Sequence, residues 1–261
     1  MPTRPRPVLA AALAAALAAA TLAPAAVTAQ LPGPRDVADN TNAWAMYFGD
    51  HAVSRRWALH AEAQVRRAGG AAGLAGWQQL LLRPGLIYTL SPSARVTAGY
   101  AFVDTWPYGD QPVVARFPEH RVWQQLQLGH ATGRVAWQHR YRVEQRWVAR
   151  PLDTAGARDR TYSNRARYLV RATIPLRGRT LEVGEAYASA YDELFANWGR
   201  NVGRNVLDQN RLYGALGWRL ATTTRVEAGY LQQLVLKPNG TQVERNHTLQ
   251  LAVFQNAMLF R

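Results

Sequence analysis

Residues 134–147 read Arg134-Val135-Ala136-Trp137-Gln138-His139-Arg140-Tyr141-Arg142-Val143-Glu144-Gln145-Arg146-Trp147. Val135, Trp137, Tyr141, Val143 and Trp147 fall on one phase; Arg134, Gln138, Arg140, Arg142, Glu144 and Arg146 fall on the other. Residues 57–66 repeat the pattern, with Trp57, Leu59, Ala61, Ala63 and Val65 against His60, Glu62, Gln64 and Arg66. Period-two alternation puts apolar side chains on one face of a β-strand and polar ones on the other. A soluble β-sandwich builds its sheets from strands of roughly five or six residues. Strands twice that length, repeated along a chain, point to a transmembrane β-barrel.

The N-terminus supports that direction. Arg4 and Arg6 precede an apolar run from Val8 to Leu22, and Val27-Thr28-Ala29 offers a small-residue cleavage site. This is the layout of a secretory signal peptide over 1–29. The run is shorter than the roughly 20 residues that a spanning helix needs. No later segment reads as a membrane helix, so a membrane-embedded mature chain must be a closed barrel. The chain has no cysteine, so neither a disulfide nor a thiolate–metal site is available. The expected location is the bacterial outer membrane, reached by export with cleavage of the leader.

The formal net charge is +14, and Lys237 is the only lysine. Such a basic balance can mark nucleic-acid binding. Here the arginines are spread along strands rather than clustered in a helix or tail, and an exported protein is not expected to meet nucleic acid. The charge reads as a polar interior, or as rims facing anionic lipid headgroups.

Residues 30–41 form a short polar arm or a first strand, and the barrel is expected over 42–261. Candidate strands lie at 42–49, 56–67, 76–90, 95–106, 118–130, 134–147, 162–175, 180–191, 207–220, 224–236 and 245–260. Fourteen residues at ~3.3 Å each, tilted about 40°, rise roughly 35 Å, more than a ~25 Å apolar band. Short connections (51–55, 91–94, 131–133, 175–179, 221–223) alternate with long ones (68–75, 107–117, 148–161, 192–206, 237–244). This is the up-and-down antiparallel pattern of short periplasmic turns and longer extracellular loops. Bacterial barrels of this kind have even strand counts, so the range is ten to twelve, with twelve preferred and 30–41 as the added strand. Trp44, Trp57, Trp77, Trp106, Trp123, Trp147, Trp198 and Trp218, with Tyr88, Tyr108 and Tyr191, lie near strand ends and are expected to form interfacial girdles. Phe260 is penultimate in the last strand, an approximate fit to the signal read by the barrel assembly machinery.

The blocks Asn42-Ala43-Trp44-Ala45-Met46-Tyr47-Phe48-Gly49, Trp77-Gln78-Gln79-Leu80-Leu81-Leu82-Arg83-Pro84-Gly85, Phe117-Pro118-Glu119-His120-Arg121-Val122-Trp123-Gln124-Gln125 and His139 to Trp147 resemble the bacterial DUF2490 family. The resemblance covers most of the mature chain. It implies an outer-membrane β-barrel of unknown function and transfers no catalytic residue.

The chemistry-bearing pattern is the set of arginines on the polar phase: Arg121, Arg134, Arg140, Arg142, Arg146, Arg165, Arg167, Arg171 and Arg211. If the apolar phase meets lipid, these side chains enter the lumen, where rings of arginine favour passage of small anions. The competing expectation is a packed interior, with arginines paired to Glu62, Glu119, Glu144 and Glu182. His120 and His139 fall on the apolar phase, and a tight turn near 131–132 would set Gln124 opposite His139. A polar pair facing lipid invites a functional reading, here a lipid-modifying hydrolase. Such an enzyme needs a serine within reach of the histidine. Ser163 lies on the opposite phase, while Ser54, Ser91 and Ser93 lie in inner turns, so no enzyme is expected. A receptor or adhesion role for the long loops is a further alternative. No zinc spacing, phosphate loop or dinucleotide fingerprint occurs, so no cofactor is expected; Asp153 and Asp159 could at most serve a loop calcium site, with no ligand pattern to support it. The expected partners are outer-membrane lipid, the assembly machinery through the C-terminal strand, and small anions.

Overall fold

The computed structural model describes residues 35–70, 73–149, 159–202 and 206–258. The expected leader, Asp153 and the Phe260 terminus lie outside them. Among the described residues eleven strands close into a barrel. They are β1 (Asp36–Ala52), β2 (Trp57–Gly70), β3 (Gly73–Ser91), β4 (Ala94–Thr105), β5 (Phe117–Thr132), β6 (Val135–Ala149), β7 (Arg160–Pro175), β8 (Ala186–Trp198), β9 (Leu207–Arg219), β10 (Thr224–Leu236) and β11 (Gln242–Gln255). Each strand pairs antiparallel with its sequence neighbours, and β1 closes on β11 in parallel, from Asp36↔Gln242 to Gly49↔Gln255.

The expected twelve strands are therefore eleven. Residues 36–41 do not form a strand of their own but are the first part of β1. With an odd number of up-and-down strands, the first and last run in the same direction, and the only closure available is parallel. A parallel ladder is slightly weaker per residue, but closure removes both sheet edges. Side chains reinforce the seam. Asn40 Nδ2 donates to Asn246 Oδ1 at 2.9 Å, Arg245 Nη2 donates to Asp39 Oδ2 at 2.7 Å, and the Phe48 and Phe254 rings stack at 5.1 Å.

Two connections differ from the expected alternation. Strands β2 and β3 extend into the glycine-rich segment as far as the Gly70–Gly73 pair, so most of the expected long loop at 68–75 is strand. Strand β8 begins at Ala186 rather than 180, and 176–185 is a loop. The cause is local: Gly178 and Gly184 take φ of 59° and 86°, left-handed values that end a strand and suit glycine. The connections 106–116 and 237–241 lie at one end, here called the loop end, together with the Gly70–Gly73 pairing of β2 with β3, the end of β6 at Ala149 and the start of β9 at Leu207. The links 53–56, 92–93, 133–134, 176–185 and 220–223 define the other, the turn end.

Side chains alternate across the wall with inverted polarity. Leu59, Leu86, Tyr100, Val122, Leu216 and Leu249 are exposed on the outside, while Glu62, Arg83, Arg121, Glu144, Glu193 and Asn246 are buried inside. On β6, Tyr141 is 46% exposed while Glu144 is fully buried. Strands about 4.8 Å apart, tilted about 40°, give eleven strands a diameter of roughly 20 Å. Arginine is long enough to reach across much of that bore from both walls.

Aromatic pairs band the outer face at both ends. Trp77 stacks on Trp106 (5.2 Å) and Trp147 meets Tyr162 (5.3 Å) near the loop end; Trp57 meets Tyr88 (4.7 Å) near the turn end. Trp44 and Trp123 do not belong to these bands. They are 2% and 1% exposed, inside the barrel. Gly85 and Gly99 make room for Trp123 on the inner wall; a Cβ at Gly99 would stand 2.2 Å from the Pro84 carbonyl oxygen and 3.0 Å from the indole. Tyr108 and Tyr191 also turn inward, leaving the remaining tryptophans at the rims.

Candidate functional site in the barrel interior

Three carboxylates from different strands organise the waist: Glu62 on β2, Glu144 on β6 and Glu193 on β8, all buried. Arg83 links two of them, with Nη1 2.7 Å from Glu62 Oε2 and Nη2 3.4 Å from Glu144 Oε1. Arg167 continues the chain, donating Nη1 to Glu144 at 2.9 Å and Nη2 to Glu193 at 2.7 Å. The ladder Glu62–Arg83–Glu144–Arg167–Glu193 thus crosses the bore from β2 to β8.

The opposite side of the waist is aromatic. Trp44, Tyr213 and Leu231 form a buried cluster, and Trp44 Nε1 donates to Gln78 Oε1 at 2.7 Å. The Arg211 guanidinium lies 5.0 Å from the Trp44 ring and 4.8 Å from Phe195, so cation–π contact joins the aromatic side to the charged one. Arg83, Arg167 and Arg211 border both a turn-end chamber of ≈ 180 Å³ and a loop-end chamber of ≈ 220 Å³.

Of the arginines expected in the lumen, all but Arg134 face inward, and most hold a carboxylate. Arg165 meets Glu144 at 2.6 Å, Arg140 meets Glu193 at 2.7 Å, and Arg211 stands 3.7 Å from Glu193. Arg121 and Arg146 share Glu119, at 2.7 and 2.5 Å. Arg171 pairs with Glu227. Arg142 and Arg134 are the exceptions. Arg142 donates Nε and Nη2 to Gln125 Oε1 at 3.0 and 2.6 Å, and among the described residues no carboxylate lies within salt-bridge distance of it. Arg134 sits near the turn end and donates to the Pro175 carbonyl at 2.6 Å. Of the expected acidic partners, Glu62, Glu119 and Glu144 are inside. Glu182 is not: it is exposed in the 176–185 loop and accepts from the Thr180 hydroxyl at 2.8 Å.

Glu193, Glu227 and Arg83 were absent from the sequence reading of the site. Glu193 falls beyond the expected strand at 180–191 but within the observed β8, which starts six residues later. Its signal was available in Tyr187, Ser189, Tyr191, Glu193 and Phe195, which share the inner face.

The loop end is covered from within. The 106–116 loop reaches to the β1–β11 seam, where the Tyr108 hydroxyl donates to Glu244 Oε2 at 2.7 Å and Gln111 Nε2 donates to the Asp36 carbonyl at 2.9 Å. Burial, with Glu244 alongside, raises the Tyr108 phenol above its ordinary pKa. Glu244 also pairs with Lys237.

The outward histidines have other partners than expected. Gln124 lies opposite Val143, and His139 opposite Leu128, because the β5–β6 turn centres two residues later than expected, pairing Thr132 with Val135. Gln124 instead exchanges a hydrogen bond with Gln145 at 3.2 Å. His139 Nδ1 is 2.9 Å from the Tyr168 hydroxyl, and His120 is hydrogen-bonded to Tyr100. Among the described residues no serine hydroxyl contacts a histidine.

Comparison with known proteins gives a family and no chemistry. An uncharacterised protein of Methylorubrum extorquens is 28% identical over 204 residues, covering 76% of this chain and 79% of the relative. No solved structure matches the chain. The model of a protein family of unknown function, DUF2490, matches residues 41–244. That span runs from β1 into β11 and includes every carboxylate of the waist, and the chain belongs to the DUF2490 family.

Proposed function

We propose that the protein is an outer-membrane β-barrel with a structural role, its interior closed to bulk ion flow by the Arg–Glu ladder. The observation that carries this reading is the inverted polarity of the wall. Charged side chains are buried inside, and apolar ones are exposed outside between two bands of aromatic residues. In water such a surface would be a large exposed apolar patch; in lipid it is the expected solvent face. The leader-like 1–29 segment and the closed hydrogen bonding of the wall support the same location.

The interior favours a scaffold over an anion-conducting path. Most arginines that would line a path are instead held by carboxylates reaching from neighbouring or facing strands. The histidines that suggest lipid hydrolysis are bonded to tyrosine hydroxyls on the outer face, and among the described residues no serine hydroxyl contacts them; the proposed role is non-enzymatic. Cell fractionation tests the location. The mature protein is expected with the outer membrane, migrating faster on gels when unheated because a closed barrel resists detergent unfolding. Recovery in the soluble periplasm would overturn the reading.

A further inference from the structure

The turn-end chamber carries more positive charge than its own acids can balance. Eight arginines line it against three carboxylates, Asp50, Glu62 and Glu193. Those three are already engaged. Asp50 lies 2.7 Å from His60 Nδ1 and 2.7 Å from Arg95 Nη1; Glu62 holds Arg83; Glu193 holds Arg140 and Arg167. Glu144 and Glu227, outside that lining, also hold Arg83, Arg167 and Arg171, which leaves Arg142 and Arg225 without a carboxylate among the described residues. Buried cations short of counter-charge are unfavourable, and an enclosed, low-dielectric space focuses the field that draws in anions.

Arg142 is where that excess is least answered. It is 3% exposed, and among the described residues its only hydrogen-bond acceptor is Gln125 Oε1 and its Nη1 makes no hydrogen bond. The Trp123 ring, 4.6 Å from the guanidinium centre, fixes its plane. Arg140 beside it has its Nη2 on Glu193 while its Nε is also without a partner. Arg66 shows that a missing carboxylate is not by itself sufficient. It too lacks an ion pair, but each of its three nitrogens donates to Gln64 or Gln79.

We infer that the turn-end chamber binds a small phosphate-type oxyanion, inorganic phosphate or a phosphate monoester, with Arg142 and Arg140 as its principal cationic ligands. The planar guanidinium fork matches a tetrahedral oxyanion through paired N–H donors better than a single ammonium does. The chamber extends to Arg95, Arg225 and Asn256 toward the turn end, and Arg95, the more exposed of the pair it forms with Asp50, marks the way in. This inference concerns the barrel interior and does not depend on the membrane location.

The test uses the full mature chain folded in detergent micelles, titrated with inorganic phosphate and with glycerol phosphate, with chloride at matched ionic strength as the reference. Phosphate is expected to raise the unfolding temperature saturably beyond the chloride control, and the tighter of the two probes identifies the source of the anion. Arg142→Gln should weaken apparent affinity about tenfold, and Arg142→Lys, which keeps charge but loses the fork, should fall between. Arg66→Gln should bind as the wild type does. The inference is overturned if phosphate does no more than chloride, if both Arg142 variants bind normally, or if Arg66→Gln loses as much affinity as Arg142→Gln. Should Arg142→Gln fail to fold, Arg142→Lys alone decides between a weakened and an unchanged affinity.

Discussion

Replacing Glu144 by Gln is expected to destabilise the barrel by about 3–5 kcal/mol, the usual range for removing one partner of a buried ion pair. Glu144 is fully buried, with Arg165 at 2.6 Å, Arg167 at 2.9 Å, Arg83 at 3.4 Å and Arg121 at 3.7 Å. Glutamine keeps the shape and one acceptor oxygen but removes the charge that four guanidinium groups share. Arg167 and Arg83 would retain Glu193 and Glu62. Arg165 would be left with Asp208 at 3.9 Å, and so suffers most. Replacing Arg165 by Met in the same chain should recover part of the loss, since an apolar group of similar length is tolerated where a lone buried charge is not. Glu182→Gln, in the exposed 176–185 loop, should change stability by no more than ~0.5 kcal/mol. Equilibrium urea unfolding in detergent reads all three. A Glu144→Gln chain as stable as the wild type would show that the waist is not an ion-paired network.

The second large effect lies on the other face of the same strand. Tyr141→Arg places a charge on the exposed apolar surface and should cost about 2–4 kcal/mol if that position sits near the bilayer midplane. Arg142→Tyr, one residue on, points into the turn-end chamber against Trp123 and breaks no carboxylate pair, so it should assemble far better. The yield of heat-modifiable barrel in membranes compares them directly. Equal tolerance of both changes would mean that the outer face is not a lipid face.

The same strand explains what could be read from the chain. On β6, charged and bulky apolar residues alternate strictly from Arg140 to Glu144, so Tyr141, Val143, Arg142 and Glu144 could be assigned to faces from the sequence. On β5, alternation that puts Arg121 inside also puts Trp123 inside, two residues later. The expectation of a girdle tryptophan there gave weight to nearness to a strand end over phase. Strand β8 was misplaced for a different reason. Its outer face is mostly small, with Ala186, Ala188, Ala190 and Ala196, so the hydrophobic contrast that marks a strand is weak. Preceding glycines with left-handed φ, which fix its start, leave no periodic trace.

That the sheet closes into a barrel was legible; that β1 meets β11 in parallel was not. Pairing between β1 and β11 joins residues about two hundred positions apart, and no local pattern distinguishes a parallel from an antiparallel partner. An even count was expected by analogy with other barrels, and the twelfth strand was placed in residues that extend β1. Individual ion pairs were also beyond reach, because alternation gives the face of Arg83 or Glu193 but not the height at which arginines from facing walls meet.

Single-channel recording of the purified wild-type protein in a planar bilayer, with salt gradients of defined anions and cations, tests the central claim most directly. An interior crossed by the Glu62–Arg83–Glu144–Arg167–Glu193 ladder should give almost no conductance. The triple change of Arg142, Arg146 and Arg167 to Gln should then lower stability, since it strips Glu119, Glu144 and Glu193 of partners, rather than merely shifting selectivity. Steady conductance through the wild-type barrel, whether selective for anions or for cations, would contradict a closed waist.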